Sequence, residues 1–353
     1  MKKLFPLAAA FIALLLCSSH DMYLKLDSFF LQPDSKASIL LYNGTFAASE
    51  NVIDRDRMLD VSIVANGQRN RIDTTNWRED DNVTILDVTT GEPGTYVVGV
   101  STKARTIEME AEAFNNYLAH DGVQDMLTNR TDNDKLTQDA NELYSKHVKA
   151  IYQVGDNKTS DWKIKLGYPI EFIPRANPYN LKVGGVLPVQ LLLDGKPLAN
   201  QIVTIDSDGG SHAHGHDHEH ADGEEHEHDS EDGHTHDGGT QVRTDANGNF
   251  TVNIANDGQW YLRTIHMVEV EDEELTHESN WATLTFEVAH GHDHADGDHA
   301  HDGDAHTHAD GTTHSHEGDD HHHEEGGLPG YVWWLGSLVL VAILFVYFKR
   351  QQA

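Results

Sequence analysis

Histidine and acid alternate in two stretches of this chain. The first, SHAHGHDHEHADGEEHEHDSEDGHTHDGG at 211–239, carries His212, His214, His216, His218, His220, His226, His228, His234 and His236. The second, HGHDHADGDHAHDGDAHTHADGTTHSHEGDDHHHEE at 290–325, carries His290, His292, His294, His299, His301, His306, His308, His314, His316, His321, His322 and His323. Neutral imidazole is the commonest side-chain metal ligand, and it suits Ni²⁺, Co²⁺, Zn²⁺ and Cu²⁺. Many of these residues repeat as His-x-His. An extended chain puts such pairs on one side, and a flexible loop lets any two or three close around one ion. The Asp and Glu between them add oxygen ligands and attract cations. Ligands that must be ordered on binding lose entropy. The tracts are therefore expected to be disordered and to hold several weak, exchangeable ions, as a buffer, a scavenger or a delivery arm would. Two other readings compete: a solvated acidic spacer with incidental histidines, and a pH sensor that charges near the ordinary imidazole pKa of about 6.5.

The tracts contain twenty-one acids and no Lys or Arg, so without them the formal charge falls from −33 to about −12. That mildly acidic remainder does not suit nucleic acid, which needs a basic face. The single cysteine, Cys17, lies in the N-terminal apolar run, which excludes thiolate clusters and an internal disulfide. Residues 1–19 have the shape of a signal peptide: Lys2 and Lys3, an apolar stretch from Leu4 to Leu16, and a cut expected after Ser19. An uncleaved anchor and a lipidated Cys17 are the alternatives, the latter disfavoured by Leu16 before the cysteine. Residues 329–348 read as a transmembrane helix with Trp333, Trp334 and Tyr347 near its ends. Lys349 and Arg350 would hold a tail, 349–353, in the cytoplasm. The expected location is the bacterial inner membrane, single-pass, with the body in the periplasm.

The body reads as mainly β. Short runs rich in Val, Ile, Leu, Thr and Tyr, punctuated by Gly, Asn, Asp and Pro, predict an Ig-like or prealbumin-like β-sandwich over 20–108 and a second over 151–289. The first tract would be a loop of the second sandwich, and 290–328 a linker. Asp194-Gly195 and Asn247-Gly248 are tight-turn dipeptides. Residues 109–150 predict a helical connector, its second half from a stripe of Leu136, Ala140, Leu143, Tyr144, Val148 and Ile151.

Cleavage before His20 would set a free amine beside an imidazole, and the amine and Nδ1 can chelate one Cu²⁺ or Ni²⁺. His266, or His277 with Glu278, would complete such a site; His120 and His147, read as surface histidines on helices, could also approach. No HExxH, nucleophile elbow, phosphate loop or dinucleotide turn is present, so the chain is expected not to be an enzyme. A copper redox enzyme built on His20 is the one catalytic alternative.

The stretches HDMYLKLDSFFLQP, YSKHVKAIYQVGD, GYPIEFIPRANPYNLKVGG, LLLDGKPLANQIVTI, RTDANGNF, DGQWYLRTIHM and ESNWATLTFEV, in this order and spacing, resemble the NikM-like periplasmic proteins of cobalt/nickel transport. The resemblance spans nearly the whole expected ectodomain. The His tracts elaborate on that family pattern, and His120 and His147 stand where it has other polar residues. It implies handling of a divalent metal, nickel or cobalt first, outside the cytoplasm, with a membrane permease as partner. An adhesion or carbohydrate-binding stalk of two sandwiches is the non-metal alternative.

Overall fold

A computed structural model describes residues 20–211 and 239–289, with the short stretches 306–307 and 313–314. The expected signal peptide, the transmembrane span and the tail lie outside the described residues, as do the tract histidines other than His306 and His314. Among the described residues no helix is long and apolar enough to cross a membrane. The chain divides into two compact units, Met1–His292 and Asp293–Ala353.

The first unit is mainly β. Its N-terminal half holds β1 (Asp21–Lys25), β2 (Phe30–Leu31), β3 (Lys36–Gly44), β4 (Met58–Ala65), β5 (Gln68–Arg71), β6 (Trp77–Asp80), β7 (Val83–Thr89), β8 (Gly94–Thr102) and β9 (Arg105–Met109). Two short helices follow, α1 (Ala111–His120) and α2 (Gln124–Asp132). Then come β10 (Ala140–Val154), β11 (Ile170–Pro174), β12 (Val186–Leu193), β13 (Lys196–Pro197), β14 (Ile202–Ser207), β15 (Thr240–Arg243), β16 (Asn249–Asn253), β17 (Gly258–Glu269) and β18 (His277–Val288).

Three sheets form. A four-stranded sheet runs β1-β3-β7-β6, and another joins β11, β12, β13 and β16. The largest runs β15-β14-β17-β18-β10-β8-β4-β5, with β2 and β9 also on β10. This ten-stranded sheet takes strands from both halves of the chain, and one apolar cluster from Met22 to Val288 packs against it. The two separate sandwiches read from the sequence are thus joined through β10, which pairs β8 on one side and β18 on the other.

Half of the helical connector is absent for the same reason. Residues 111–132 are helical, but 140–154 form β10. A strand covered on both faces shows a continuous apolar run rather than alternation, and β10 is buried without a break from Lys146 to Val154. Such a run offers matches to a helical stripe by chance.

The turn dipeptides are as read. Asp194 and Gly195 take positive φ between β12 and β13. Gly248, at φ +73, follows an Asp245 side chain that accepts from the amides of Asn247 and Asn249. A Cβ there would lie 2.6 Å from the Leu191 carbonyl. Gly248→Ala is expected to lower stability by about 2 kcal/mol through both φ and contact, read as a shift in the urea midpoint with an unchanged slope.

In the second unit, His306–Thr307 and Thr313–His314 pair as β19 and β20, with His306 opposite His314. The second tract was expected to be irregular, and at these four residues it is not.

Candidate functional site

His20 precedes β1, whose first residue, Asp21, lies opposite Gly44 at the end of β3. After Gly44 the chain folds straight back, with Gly44 bridging Ser49 and the Glu50 amide donating to the Asn43 carbonyl at 3.0 Å. Only glycine fits there, because a Cβ would lie 2.6 Å from the Ala48 carbonyl. This return brings Glu50 Oε2 to 3.2 Å from His20 Nδ1, the nitrogen that an N-terminal chelate would use. Lys146, on β10, donates to the His20 carbonyl.

Beneath this corner lies a buried charge cluster that the sequence reading missed. Arg263, on β17, pairs with Asp21 at 2.5 Å and Asp121 at 3.3 Å, and donates to the Asp121 carbonyl at 2.8 Å. Asp121 caps the C-terminus of α1, an unfavourable place for a carboxylate that Arg263 makes tenable. Asp21, Asp121, Glu142 and Lys146 are all buried. A small cavity of about 40 Å³ sits among Asp21, Asp121, His120 and Arg263, and Asp21 Oδ1 has no hydrogen-bond partner among the described residues.

The electrostatics follow from burial. Burial lowers the His20 imidazole, partly offset by Glu50. It lowers the Lys146 ammonium to about 8 against the pull of Asp21. Although burial opposes its charge, Arg263 is held above its ordinary value by Asp21 and Asp121. Glu142 accepts from Tyr117 at 3.3 Å and from Ser279, but burial outweighs these and lifts its carboxyl from 4.5 to about 7. The stability that the protonated Glu142 contributes is full below the ordinary carboxylate value and is lost as pH rises through about 7. Glu142→Gln, neutral throughout, should therefore gain about 2–3 kcal/mol relative to the parent chain between about pH 5 and pH 8. Urea titrations at the two pH values check this; an unchanged difference would contradict it.

The other candidate ligands are dispersed. His266 stands opposite Asn280, and Asn280 opposite Ser145 on β10. His266 Nδ1 lies 3.0 Å from Gln201 Oε1, and burial lowers its pKa. His277, at the start of β18, is an odd number of residues from Asn280, so it faces the opposite side of the sheet from His266. Its Nδ1 meets the Thr276 hydroxyl at 2.7 Å. It shares a face with Lys146 but is four residues along from that row, roughly 13 Å. Glu278 is exposed while His277 is buried, because neighbours on a strand point apart. His20, His266 and the His277–Glu278 pair therefore do not converge as expected. Among the described residues no group of three His, Cys, Asp or Glu is placed to hold a metal.

His120 does end a helix and is about half exposed. His147 is the reverse of the surface histidine expected. It is buried on β10, with Nδ1 2.9 Å from Ser101 Oγ and Nε2 3.0 Å from Ser145 Oγ and 3.3 Å from Asn280 Oδ1. Burial pushes it to about 4, so it is neutral and structural. The signal for these layers was present as charge inside apolar runs: Lys146 in SKHVKAI, and Arg263 in WYLRTI.

Both tracts leave the first unit at one end of the large sheet. β14 and β18 each run antiparallel to β17. Ser207 lies opposite Trp260, and Trp260 opposite Phe286. The roots of the two tracts are thus two strands apart, about 10 Å. The first root is fastened by Asp208, whose side chain accepts from the Gln259 amide at 2.7 Å.

Among solved structures, the chain is similar to the D0-D1 domain of intimin, at 12% identity over 75% of this chain and 97% of that one, with a TM-score of 0.17. It is similar to the Yersinia pseudotuberculosis adhesin InvE at 12% identity, over 76% of this chain and 59% of that one, with a TM-score of 0.18. Trypsin-activated alpha-2-macroglobulin from Escherichia coli gives 6% identity over 76% and 15%, with a TM-score of 0.18. Scores this low lie below those of chains with a common fold. No curated protein matches the chain. Residues 17–268, from the apolar run through β1 and His20 to the strand that carries Arg263 and His266, match the model described as Domain of unknown function (DUF4198), and the chain belongs to that family.

Proposed function

We propose that the chain is a membrane-anchored, extracytoplasmic protein that collects divalent transition metal, nickel or cobalt first and zinc or copper as alternatives, and passes it to a transporter in the same membrane. It acts by binding, not by catalysis. The observation that carries the reading is the placement of the two strand ends from which the tracts continue: far apart in sequence, they lie about 10 Å apart on one sheet. The two segments that carry the twenty-one tract histidines are therefore rooted near each other on one sheet. The resemblance to the NikM-like proteins supplies the metal and the transporter. The second tract runs on toward the apolar segment 329–348, which would bring its ions close to the bilayer. The neutral, hydrogen-bonded His147 and half-buried His266 are structural in this account. His20 adds one ordered ligand, its Nδ1 already beside Glu50.

Cells that make the chain with all twenty-one tract histidines changed to serine should accumulate less labelled Ni²⁺ or Co²⁺ at limiting supply than cells with the parent chain. Equal accumulation at equal protein level would sink the delivery role. A reporter fused after Ala353 should be active only if it works in the cytoplasm.

A further inference from the structure

At the other end of the sheet from the tract roots, Arg130, Lys135, Glu269, Asp272 and His277 line an open cleft of about 460 Å³. Two polar groups there each keep one nitrogen with no hydrogen-bond partner among the described residues. Arg130, on α2, is 1% exposed. Its Nε donates to Asn115 Oδ1 at 2.9 Å, one Nη donates to the Gln138 carbonyl at 2.6 Å, and Phe114 lies under its plane at 4.8 Å. Nη1 makes no hydrogen bond, and no carboxylate pairs with the guanidinium, among the described residues. Lys135, by contrast, is paired with Glu269 at 2.7 Å.

His277 is the second group. It is 3% exposed, and its Nε2 is buried without a partner among the described residues. Its tautomer follows from its neighbour. The Thr276 hydroxyl donates to the Asn141 carbonyl at 3.1 Å and accepts from the Asn141 amide at 2.9 Å. A hydroxyl has one proton and two lone pairs, so it accepts from His277 Nδ1–H, and the lone pair is left on Nε2. Burial, then Arg130 and Lys135, hold this imidazole down to about 4, so it stays neutral.

We infer that this cleft binds a free α-amino acid, with the carboxylate on Arg130 Nη1 and the ammonium donating to His277 Nε2. A simple anion would meet the acids Glu269, Glu271 and Asp272 at the same cleft. A metal ion on Nε2 would meet Arg130 and Lys135. A zwitterion satisfies both the spare donor on Arg130 and the spare acceptor on His277. The volume lies within the range of small-molecule sites, about 300–1,000 Å³.

The test uses the full-length chain in EDTA, dialysed against an equimolar mixture of the standard L-amino acids and read by mass spectrometry. Retention of at least one amino acid is expected. Its methyl ester and its analogue lacking the amino group should each bind about tenfold or more weakly, the weight of one charge-assisted hydrogen bond. His277→Phe, which keeps a ring against Phe114 but removes the acceptor, should weaken binding by a similar factor. No retention by the parent chain overturns the inference, as does binding of either analogue as tight as that of the amino acid itself, or undiminished binding by a folded His277→Phe chain. In a parallel dialysis against Ni²⁺ without EDTA, on a chain with the tract histidines changed to serine, retention of an ion that is lost on His277→Phe overturns the inference in favour of a metal ligand. Should His277→Phe fail to fold, the analogue comparison on the parent chain decides.

Discussion

Loaded with Ni²⁺ near pH 7 and dialysed near pH 5, the full chain is expected to release almost all of its metal. Tract imidazoles of ordinary pKa, about 6.5, must lose a proton to bind. Proton competition across that range weakens each imidazole ligand about 25-fold, and a site of two by several hundred-fold. The folded body supplies the contrast. His147 and His277 are both held near 4 by burial, so protons would not displace an ion bound through them at pH 5. Metal that stays on the chain at pH 5 would point to the folded body and away from the tracts. Atomic emission of the dialysed protein reads the result directly.

The largest loss of stability is expected from Arg263→Met. Removing the guanidinium leaves Asp21 and Asp121 buried without their cation. Breaking such a buried pair costs about 3–5 kcal/mol, because the remaining charge is uncompensated. Methionine keeps some of the packing over Trp281, whose ring lies 5.7 Å from the guanidinium carbon. Adding Asp21→Asn and Asp121→Asn to the same chain should recover part of the loss, since the unpaired charges go with it. Denaturant unfolding measures both steps. A loss under about 1 kcal/mol would mean that the cluster is hydrated and contributes as little as a surface ion pair.

Local signals in the sequence were reliable where local chemistry decides the structure. The Asp194-Gly195 turn, helix α1 and the strand runs of β1 to β4, β7 and β8 were legible because turn dihedrals and periodicity act over a few residues, whereas the short, polar β5 and β6 carried no such signal. β10 was misread because its environment is set by partners far along the chain. β18 covers one edge and β8 the other, and both of its faces are buried. The same long-range pairing hid the charge cluster. Asp21, Asp121, Glu142, Lys146 and Arg263 come from four strands or helices, and each alone reads as an ordinary polar residue. It also explains His147, whose place among Ser101, Ser145 and Asn280 follows only from the order β18-β10-β8. The candidate metal ligands scattered because their strand parity assigns His266 and His277 to opposite faces. That parity was readable in principle, but only once both runs were known to be strands in one sheet.

The central claim is that the two tracts, not the folded body, hold most of the metal. Calorimetric titration of Ni²⁺ into the full-length chain tests it most directly, beside a chain with all tract histidines changed to serine. The account predicts several ions bound weakly by the parent chain and at most one by the substituted chain, that one lost on His20→Ala. Equal numbers of ions bound by the two chains would contradict it.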